Sequence, residues 1–320
     1  IIKYFEVTND VDFIINYGFE MLIETARFLT EALYYKNGVY HLNGVTGPDE
    51  YTTVVDDNYY TNQMLKYHFR NTYEIYNNFK NDLEKISSKL KVTQVEIEQL
   101  LDVSNKINLP FNKELNIYAQ DSSFLHKKKL DLKSIPKDKF PLLLNFHPLY
   151  LYKHQVLKQA DTILSMVLLD FEDINIYKDS FHYYEPITTH DSSLSKCIYS
   201  IAAFKLNLLD FGSKYFKEVL ETDLLNNHKN TEHGLHVANL GGSYLGIVYG
   251  FLGLRIHKNY LSINPKVTKE IKGYELNIMY QSSKINFKVG TSLEIKTNKE
   301  VLIKINDKET RINGYYKTEL

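Results

Sequence analysis

The chain has 320 residues, 43% of them hydrophobic and 24% charged, which supplies enough apolar surface for one large or two medium domains. Its formal net charge of -1, and the lack of an apolar run long enough to cross a bilayer, give no reason to expect a nucleic acid or a membrane as partner. Cys197 is the only cysteine, so the sequence excludes an internal disulfide framework and favours a reducing, cytoplasmic environment.

The first part of the chain predicts two long helices. Apolar residues recur at helical spacing over residues 10–35, where Asp10 is the predicted N-cap. A second long helix is predicted over residues 58–79, and either Asp57 or Asn58 can cap its first turn. The stretch between the two helices is predicted to be a loop.

The next part predicts an outer helix and then irregular structure. Thr93 and Glu96 match the capping-box pattern ahead of an apolar run, within a Lys- and Glu-rich stretch typical of a solvated helix. Three prolines interrupt residues 107–146, which are predicted to be irregular. The basic run Lys127–Lys129 is interpreted as solvated surface, because charge runs usually face water.

Further helices are predicted before the pattern changes near residue 257. They run from Pro148 through Leu169, from Asp191 or Ser192 onward, from Asp210 as cap to about Leu225, and from Ala238 to Leu252. The last of them is apolar and contains four glycines, which indicates close packing of the helix or close approach of a ligand.

From Lys258 the hydrophobic period changes to two. Leu276, Ile278 and Tyr280 recur at every second position, and later segments repeat the pattern. Several short strands in series predict a small antiparallel sheet or sandwich. The predicted fold is therefore mainly α, followed by a small β domain.

The most informative stretch is residues 40–62, YHLNGVTGPDEYTTVVDDNYYTN, which contains the loop between the two long helices. Its glycines and proline predict a tight turn between rigid elements, which is a natural position for a functional side chain. Burial of Glu50 by Tyr51 and apolar neighbours would let this carboxyl keep and donate a proton near neutral pH. On the loop alone, a structural carboxylate or helix cap remains the alternative.

Three later stretches accompany this loop: VLKQADTIL at 156–164, YYEPITTHDSSLS at 183–195 and TEHGLHVANLGGSYLGIVYGF at 231–251. The motifs GPDEY, KQAD, THDSS and HGLH with GGS together resemble glycoside hydrolase family 65, the inverting phosphorylases of α-glucosyl disaccharides. They occur in the order of that family and at roughly its spacing, and the resemblance covers nearly the whole chain.

The resemblance implies an architecture. Residues 1–256 are expected to form the second half of an (α/α)6 toroid catalytic domain, and residues 257–320 a C-terminal β domain. Family members carry further domains before this point and the chain does not begin with Met, so a C-terminal fragment of a longer enzyme is expected. The full-length enzyme is expected to be a homodimer.

The resemblance also implies roles for individual residues. Glu50 would be the general acid, and Lys158 and Gln159 would bind hydroxyl groups of the transferred glucosyl unit. The residues implied in phosphate binding are Ser192, Ser193, His236, Gly242 and Ser243. Inorganic phosphate is then a substrate, and neither a cofactor nor a metal is expected.

Each of these residues has a structural alternative. A Lys–Gln pair in a helix is normally surface, Ser192 or Asp191 can cap a helix, and a histidine on an apolar helix is more often a satisfied core residue than a ligand. The helix start near Ser192 also offers free N–H groups and hydroxyls, which suits an anion. Asp49 is predicted to hydrogen-bond the loop backbone.

An inverting hydrolase needs a second carboxylate to activate water, whereas phosphate is itself an anionic nucleophile and needs none. The expected reaction is therefore phosphorolysis to β-glucose 1-phosphate and a free sugar. Two alternatives stay open: a trehalase-like inverting hydrolase with Glu185 as base, and an inactive truncated fragment.

Overall fold

A computed structural model describes residues 1–227 and 230–320 of the chain. The described residues form two compact units. Unit 1 comprises Ile1–Ile2 and Asp10–Asp191, and unit 2 comprises Lys3–Asn9 and Ser192–Leu320. The domain boundary predicted at residue 256 remains a prediction, since this division by contacts falls at a different place.

Unit 1 consists of helices joined by loops and short strand pairs. Its α-helices are Val11–Phe13, Phe19–Glu31, Tyr59–Asn78, Glu84–Lys89, Gln94–Lys106, Pro148–Tyr152, Thr162–Leu168 and Ile174–Tyr184. A π-helical segment, Ile14–Gly18, joins the first two into one helical run. The short 3-10 helices are Phe124–His126, Leu132–Ser134, Lys137–Lys139, Leu142–Leu144 and Glu185–Ile187. The strand pairs are Tyr34–Lys36 with Val39–His41, Phe111–Asn112 with Ile117–Tyr118, and Lys128–Lys129 with His154–Gln155.

The helices begin where capping residues stand in the sequence. Asp10 accepts a hydrogen bond from the Phe13 backbone N–H at 2.9 Å, and Asn58 accepts one from Thr61 at 2.9 Å. Thr93 opens a complete capping box with Glu96, as predicted. The first helical run ends at Glu31, earlier than predicted, because residues 34–36 pair with the following strand.

The long helix Tyr59–Asn78 is central to unit 1. It buries Tyr59, Leu65, Phe69 and Ile75, which recur at the spacing of one helix face. This face packs against Phe19–Glu31 on one side and against the capping-box helix on the other. Burial of each such side chain contributes roughly 1.5–3 kcal/mol, so the helix anchors the loop that precedes it.

The prediction of one helix from Pro148 through Leu169 is wrong. The chain is helical at Pro148–Tyr152 and again at Thr162–Leu168, but not between them. The Leu157 N–H donates to the Ile187 carbonyl at 2.9 Å, and the Leu157 carbonyl accepts from the Thr189 N–H at 2.8 Å. These long-range bonds use backbone groups that a helix would have bonded locally.

The helical part of unit 2 follows Asp191. Its α-helices are Ser195–Lys205, Leu209–Leu224 and Val237–Leu245, and Ile2–Thr8 adds a helix from the start of the chain. The first begins at Ser195, three to four residues later than predicted, after a turn at residues 192–194. Asp210 lies in the first turn of its helix and Leu208 occupies the N-cap, so the predicted cap is wrong. Thr231–His233 is a 3-10 helix and Gly246–Phe251 a π-helical segment.

The last part of unit 2 is a pair of four-stranded sheets. One sheet has the order Tyr315–Glu319, Ser292–Thr297, Ser283–Val289 and Tyr274–Tyr280, and the other Lys308–Ile312, Val301–Ile305, Leu261–Ile263 and Arg255–Ile256. All pairs are antiparallel except Val301–Ile305 with Leu261–Ile263, which is parallel. Phe287 and Ile303, from different sheets, are fully buried in one apolar cluster, as the two-residue period predicts.

Across the two described ranges, none of the helices has the length and apolarity that a membrane span requires. The mainly α fold followed by a small β domain is confirmed.

Candidate active site

The loop that carries Asp49 and Glu50 is closed by backbone hydrogen bonds between its two ends. Val45 and Val55 exchange two hydrogen bonds of 2.9 and 2.8 Å across its base. At Gly47 a side chain would clash with the Asp161 carboxylate, and its Cβ would lie 2.5 Å from the side-chain nitrogen of Asn58. Glycine therefore allows the loop to approach both groups closely.

Asp49 is completely buried and its carboxylate is fully occupied with donors. Oδ1 accepts from the backbone N–H of Lys158 at 2.7 Å and of Gln159 at 3.4 Å, and Oδ2 accepts from the Gln120 side chain at 3.2 Å. Burial raises the pKa of Asp49 to about 7, although these hydrogen bonds oppose the shift. Asp49 thus bonds the backbone of a second motif, 109 residues away, rather than only its own loop.

Asp161 is a second buried carboxyl beside Asp49. Asn58 donates to its two oxygens at 3.2 and 3.3 Å, and the Asp49 N–H lies 3.4 Å from Oδ2. Burial, and next the charge of Asp49, raise the pKa of Asp161 well above its usual range. Asp161 was not predicted from the sequence as a site residue, although it is the last residue of the KQAD motif.

Glu50 lies on the outer side of the same loop. Its side chain is 53% exposed and forms an ion pair with the Lys158 ammonium. The expectation that Tyr51 buries this carboxyl is therefore wrong. Tyr51 turns instead into a cluster with Leu142, Leu151 and Val156, and Glu50 remains at the surface of unit 1.

Lys158 and Gln159 are brought to the loop, as a shared site requires. Lys158 contacts Glu50 through its ammonium, and the Gln159 side-chain amide donates to the Pro48 carbonyl. Both residues lie in the non-helical segment before Thr162, so their predicted position in the middle of a helix is wrong. The motifs GPDEY and KQAD therefore meet through side chains and backbone together.

Tyr51 connects the loop to the THDSS motif. Its hydroxyl donates to the Asp191 carboxylate, and the Leu142 N–H lies 2.9 Å from the hydroxyl and 3.2 Å from that carboxylate. Burial and the hydrogen bond to Asp191 raise the pKa of Tyr51 above its usual range, so the phenol stays protonated. The sequence offered no signal for this contact, which spans 140 residues.

The two serines of the THDSS motif belong to unit 2 and lie in the turn before Ser195–Lys205. Ser192 accepts from the Leu194 N–H at 3.2 Å through its hydroxyl, and its carbonyl accepts from Ser195 at 3.4 Å. Ser193 is half-buried in the same turn. Both hydroxyls stand at a loop-to-helix junction, as predicted.

His236 stands directly before the helix Val237–Leu245. Its Nδ1 lies 2.6 Å from one Asp223 oxygen, its backbone N–H donates to the other at 2.9 Å, and its Nε2 lies 3.4 Å from the Asn230 side chain. A carboxylate on Nδ1 orients the imidazole and fixes which nitrogen carries the proton. Asp223 was not identified from the sequence, since nothing local marks it.

Gly242 and Ser243 lie inside that helix. A Cβ on Gly242 would come within 2.9 Å of the Cys197 sulfur, so this glycine allows close helix packing. Ser243 donates its hydroxyl to the Asn239 carbonyl at 3.1 Å, one turn earlier. Their contacts are those of a packed helix.

Within the described residues, no cluster of three or more histidine, cysteine or acidic side chains has an arrangement that could hold a metal ion.

The sequence is similar to known carbohydrate phosphorylases. Residues 1–245 match the sequence model of the glycosyl hydrolase family 65 central catalytic domain. The chain is 43% identical over 319 residues to an α,α-trehalose phosphorylase of Geobacillus stearothermophilus, a match that covers 97% of this chain and 42% of that protein. It is 34% identical over 294 residues to a kojibiose phosphorylase of Halothermothrix orenii, covering 89% and 38% of the two chains.

A solved structure, that of a provisionally named kojibiose phosphorylase from the human microbiome, superimposes with a TM-score of 0.92 at 28% identity. The match covers 99% of this chain and 48% of that one. The chain thus spans about two fifths of the length of the curated relatives and about half of the solved neighbour.

Proposed function

The chain belongs to glycosyl hydrolase family 65, and on that premise we propose that it carries the general acid and binding groups for inverting phosphorolysis of an α-glucosyl disaccharide. One observation supports the proposal most directly. The exposed Glu50 carboxyl, the Lys158 ammonium and the Gln159 amide converge on one loop, although the two segments are 108 residues or more apart in sequence. A proton donor and two hydroxyl-binding groups are what cleavage of a sugar bond requires.

In the proposed reaction, Glu50 protonates the oxygen between the two sugars. Phosphate attacks the anomeric carbon from the opposite face, so β-glucose 1-phosphate and a free sugar are released with inversion. Lys158 forms an ion pair with Glu50, and in the proposed reaction the ammonium and the Gln159 amide also donate hydrogen bonds to hydroxyl groups of the glucosyl unit.

The phosphate side of the proposal is carried by Ser192, Ser193 and His236. Their side chains stand at loop-to-helix junctions, where hydroxyl and N–H donors suit an anion. Asp223 orients the imidazole of His236. Gly242 and Ser243, in the helix that follows His236, are the remaining members of the proposed phosphate-binding set.

The disaccharide that we propose first is α,α-trehalose. The chain shares 43% of aligned residues with a protein named as α,α-trehalose phosphorylase and 34% with one named as kojibiose phosphorylase. Kojibiose and maltose are the comparison substrates. We further propose that phosphate is the sole co-substrate, that no cofactor is needed, and that the full-length enzyme is a cytoplasmic homodimer.

The test uses this chain by itself and a chimera in which it replaces the matching part of the Geobacillus stearothermophilus enzyme. Each protein is incubated with trehalose in the presence and absence of phosphate, and glucose and glucose 1-phosphate are measured separately. Phosphorolysis predicts glucose 1-phosphate only when phosphate is present.

The alternatives give different results in the same assay. Equal glucose release with and without phosphate would identify an inverting hydrolase, with Glu185 as the candidate base. Activity of the chimera but not of the chain would show that the catalytic residues are intact and require the other part of the enzyme. Inactivity of both proteins, each folded, would reject the proposed function.

A further inference from the structure

Two buried carboxyls lie next to the proposed site. Asp49 and Asp161 are 0% and 1% exposed. Asp49 bonds the backbone of residues 158 and 159, whereas Asp161 bonds Asn58 and the N–H of Asp49. Together they join the turn before Glu50 to the segment that carries Lys158.

The hydrogen bonds around the two carboxyls differ in a way that sets their charges. Asp49 accepts from two backbone N–H groups and the Gln120 amide, and donors of this kind favour a carboxylate. Asp161 accepts from two donor groups, the Asn58 amide and the Asp49 N–H, at 3.2 to 3.4 Å, and lies beside the Asp49 charge. Two adjacent buried carboxylates repel each other, so the less well-solvated Asp161 is the one that stays neutral.

We propose that Asp49, as a carboxylate beside a neutral Asp161, is a positioning residue that holds the backbone of Lys158 and Gln159 and so sets the Lys158 ammonium against Glu50. The structural part of this proposal stands on the contacts alone. Its catalytic part rests on the proposed function, because only there do Lys158 and Glu50 act on a sugar.

The proposal predicts a pH dependence. As pH falls through about 7, Asp49 takes up a proton and its hydrogen bonds to the two N–H groups weaken. Asp161 is the titratable group next to Asp49. The charged or titratable groups around these two carboxyls are Asp121, with the Lys127 ammonium 3.6 Å from it, Tyr60, and the Glu50–Lys158 ion pair. Because Asp49, and not Asp161, accepts the N–H groups of Lys158 and Gln159, protonation of Asp49 is what changes the segment.

The first experiment measures amide hydrogen exchange in the 320-residue chain, corrected for the intrinsic rate at each pH. In Asp49→Ala, exchange at Lys158 and Gln159 should rise by roughly tenfold, the effect of one lost charged hydrogen bond. Leu157 is the internal control, because its N–H is bonded to Ile187 and does not touch Asp49. Asp49→Asn keeps a neutral acceptor at every pH, so its exchange at the two amides should match that of the wild type at pH 6 and should not change between pH 6 and 8.

A matched control is Asp57→Asn. Asp57 is also buried and accepts a backbone N–H, that of Leu42 at 3.1 Å, but it does not touch residues 158–159. In Asp57→Asn, exchange at Lys158 and Gln159 should equal that of the wild type.

Unchanged exchange at Lys158 and Gln159 in folded Asp49→Ala, or an equal rise at Leu157, would overturn the proposal. If Asp49→Ala does not fold, a wild-type pH dependence that persists in Asp49→Asn would overturn it.

The second experiment measures trehalose phosphorolysis by the chimera. Asp49→Asn should raise KM for the sugar more than it lowers kcat, and should remove the decline of activity on the acidic side of pH 7. Altered exchange with no phosphorolysis in any chimera would reject the proposed function and leave the positioning role intact. If the Asp49→Asn chimera carries out phosphorolysis with a wild-type pH profile, the positioning role would be rejected and the proposed function would stand.

Discussion

At the scale of single residues, adjacent carboxyls occupy opposite environments. Asp49 is completely buried, whereas the Glu50 side chain is 53% exposed beside Lys158. Burial gives the first carboxyl a raised pKa and a set of hydrogen bonds that hold backbone. Exposure leaves the second carboxyl accessible, which the proposed general acid requires.

Glu50→Gln should remove turnover while the fold stays intact. Loss of a positioned proton donor typically lowers kcat by about 10²–10⁴-fold, whereas the ion pair with Lys158 is exposed and contributes at most ~1 kcal/mol to stability. Glu20→Gln is the matched control, because Glu20 is also a partly exposed partner of a lysine, Lys89. Kinetics of the chimera and urea unfolding of the chain test both parts, and retained phosphorolysis in Glu50→Gln would contradict its role.

The stability of the chain should fall as the pH rises from about 4 to about 7. The pKa of Asp49 is raised to about 7 in the folded state, above the ordinary value of an unfolded aspartate. The folded state therefore binds more protons in this window, and deprotonation favours unfolding, to which Asp49 contributes a slope of at most about 1.4 kcal/mol per pH unit. Urea unfolding at several pH values should show a shallower slope for Asp49→Asn. An identical slope would assign the effect to another group.

At the scale of elements, the segment between Tyr152 and Thr162 shows tertiary bonding overriding a local pattern. Val156, Leu157 and Ala160 are buried, and their spacing resembles that of a helix. The Leu157 backbone instead bonds Ile187 and Thr189. The backbone N–H groups of Lys158 and Gln159 bond Asp49, so the segment is bonded to two other parts of unit 1. A rigid non-helical segment can present Lys158 and Gln159 next to one another.

Two adjacent glycines in the helix Val237–Leu245 should respond differently to alanine. A Cβ at Gly242 would lie 2.9 Å from the Cys197 sulfur, whereas a Cβ at Gly241 would meet no atom within 4 Å. Gly242→Ala should therefore destabilise the chain by roughly 1–3 kcal/mol through overpacking. Gly241→Ala should stabilise it by up to about 1 kcal/mol, because alanine is the better helix former. Thermal unfolding of both variants checks this, and equal effects would contradict the packing role of Gly242.

At the scale of the whole molecule, the proposed functions are divided between the two units. Glu50, Lys158 and Gln159 belong to unit 1, whereas Ser192 and His236 belong to unit 2. The boundary between the units falls within the THDSS motif. Asp191 accepts a hydrogen bond from Tyr51 and is the last residue of unit 1, and Ser192 belongs to unit 2. Sugar binding and phosphate binding are therefore expected to be separable by mutation.

His236→Ala should raise the KM for phosphate far more than the KM for trehalose. The imidazole is oriented by Asp223 and is proposed to bind the anion, so its loss should leave sugar binding largely intact. His233→Ala is the control, because His233 is close in sequence but its side chain is 79% exposed beside Glu232. Steady-state kinetics of the chimera with each substrate varied in turn provide the test. An unchanged phosphate dependence would favour a structural histidine.

The features that could be predicted from the sequence alone are those that depend on interactions between residues close in the chain. The caps at Asp10, Asn58 and Thr93, and the two-residue period after residue 257, depend on neighbours a few positions away. The four motifs likewise identified the family from short, ordered stretches. These features could be predicted because the interactions that produce them lie within a few residues of chain.

The tertiary structure alone decided how the motifs meet. Asp49 bonds a residue 109 positions away, and Tyr51 bonds Asp191 across 140 positions. Glu50 is exposed although its two neighbours in sequence, Asp49 and Tyr51, are buried. Such pairings depend on which buried donor finds which acceptor after the helices have packed, and short stretches of sequence carry no signal for them. For that reason the sequence indicated Glu50 and Lys158, whereas only the fold showed that Asp49 and Asp161 hold their segments together.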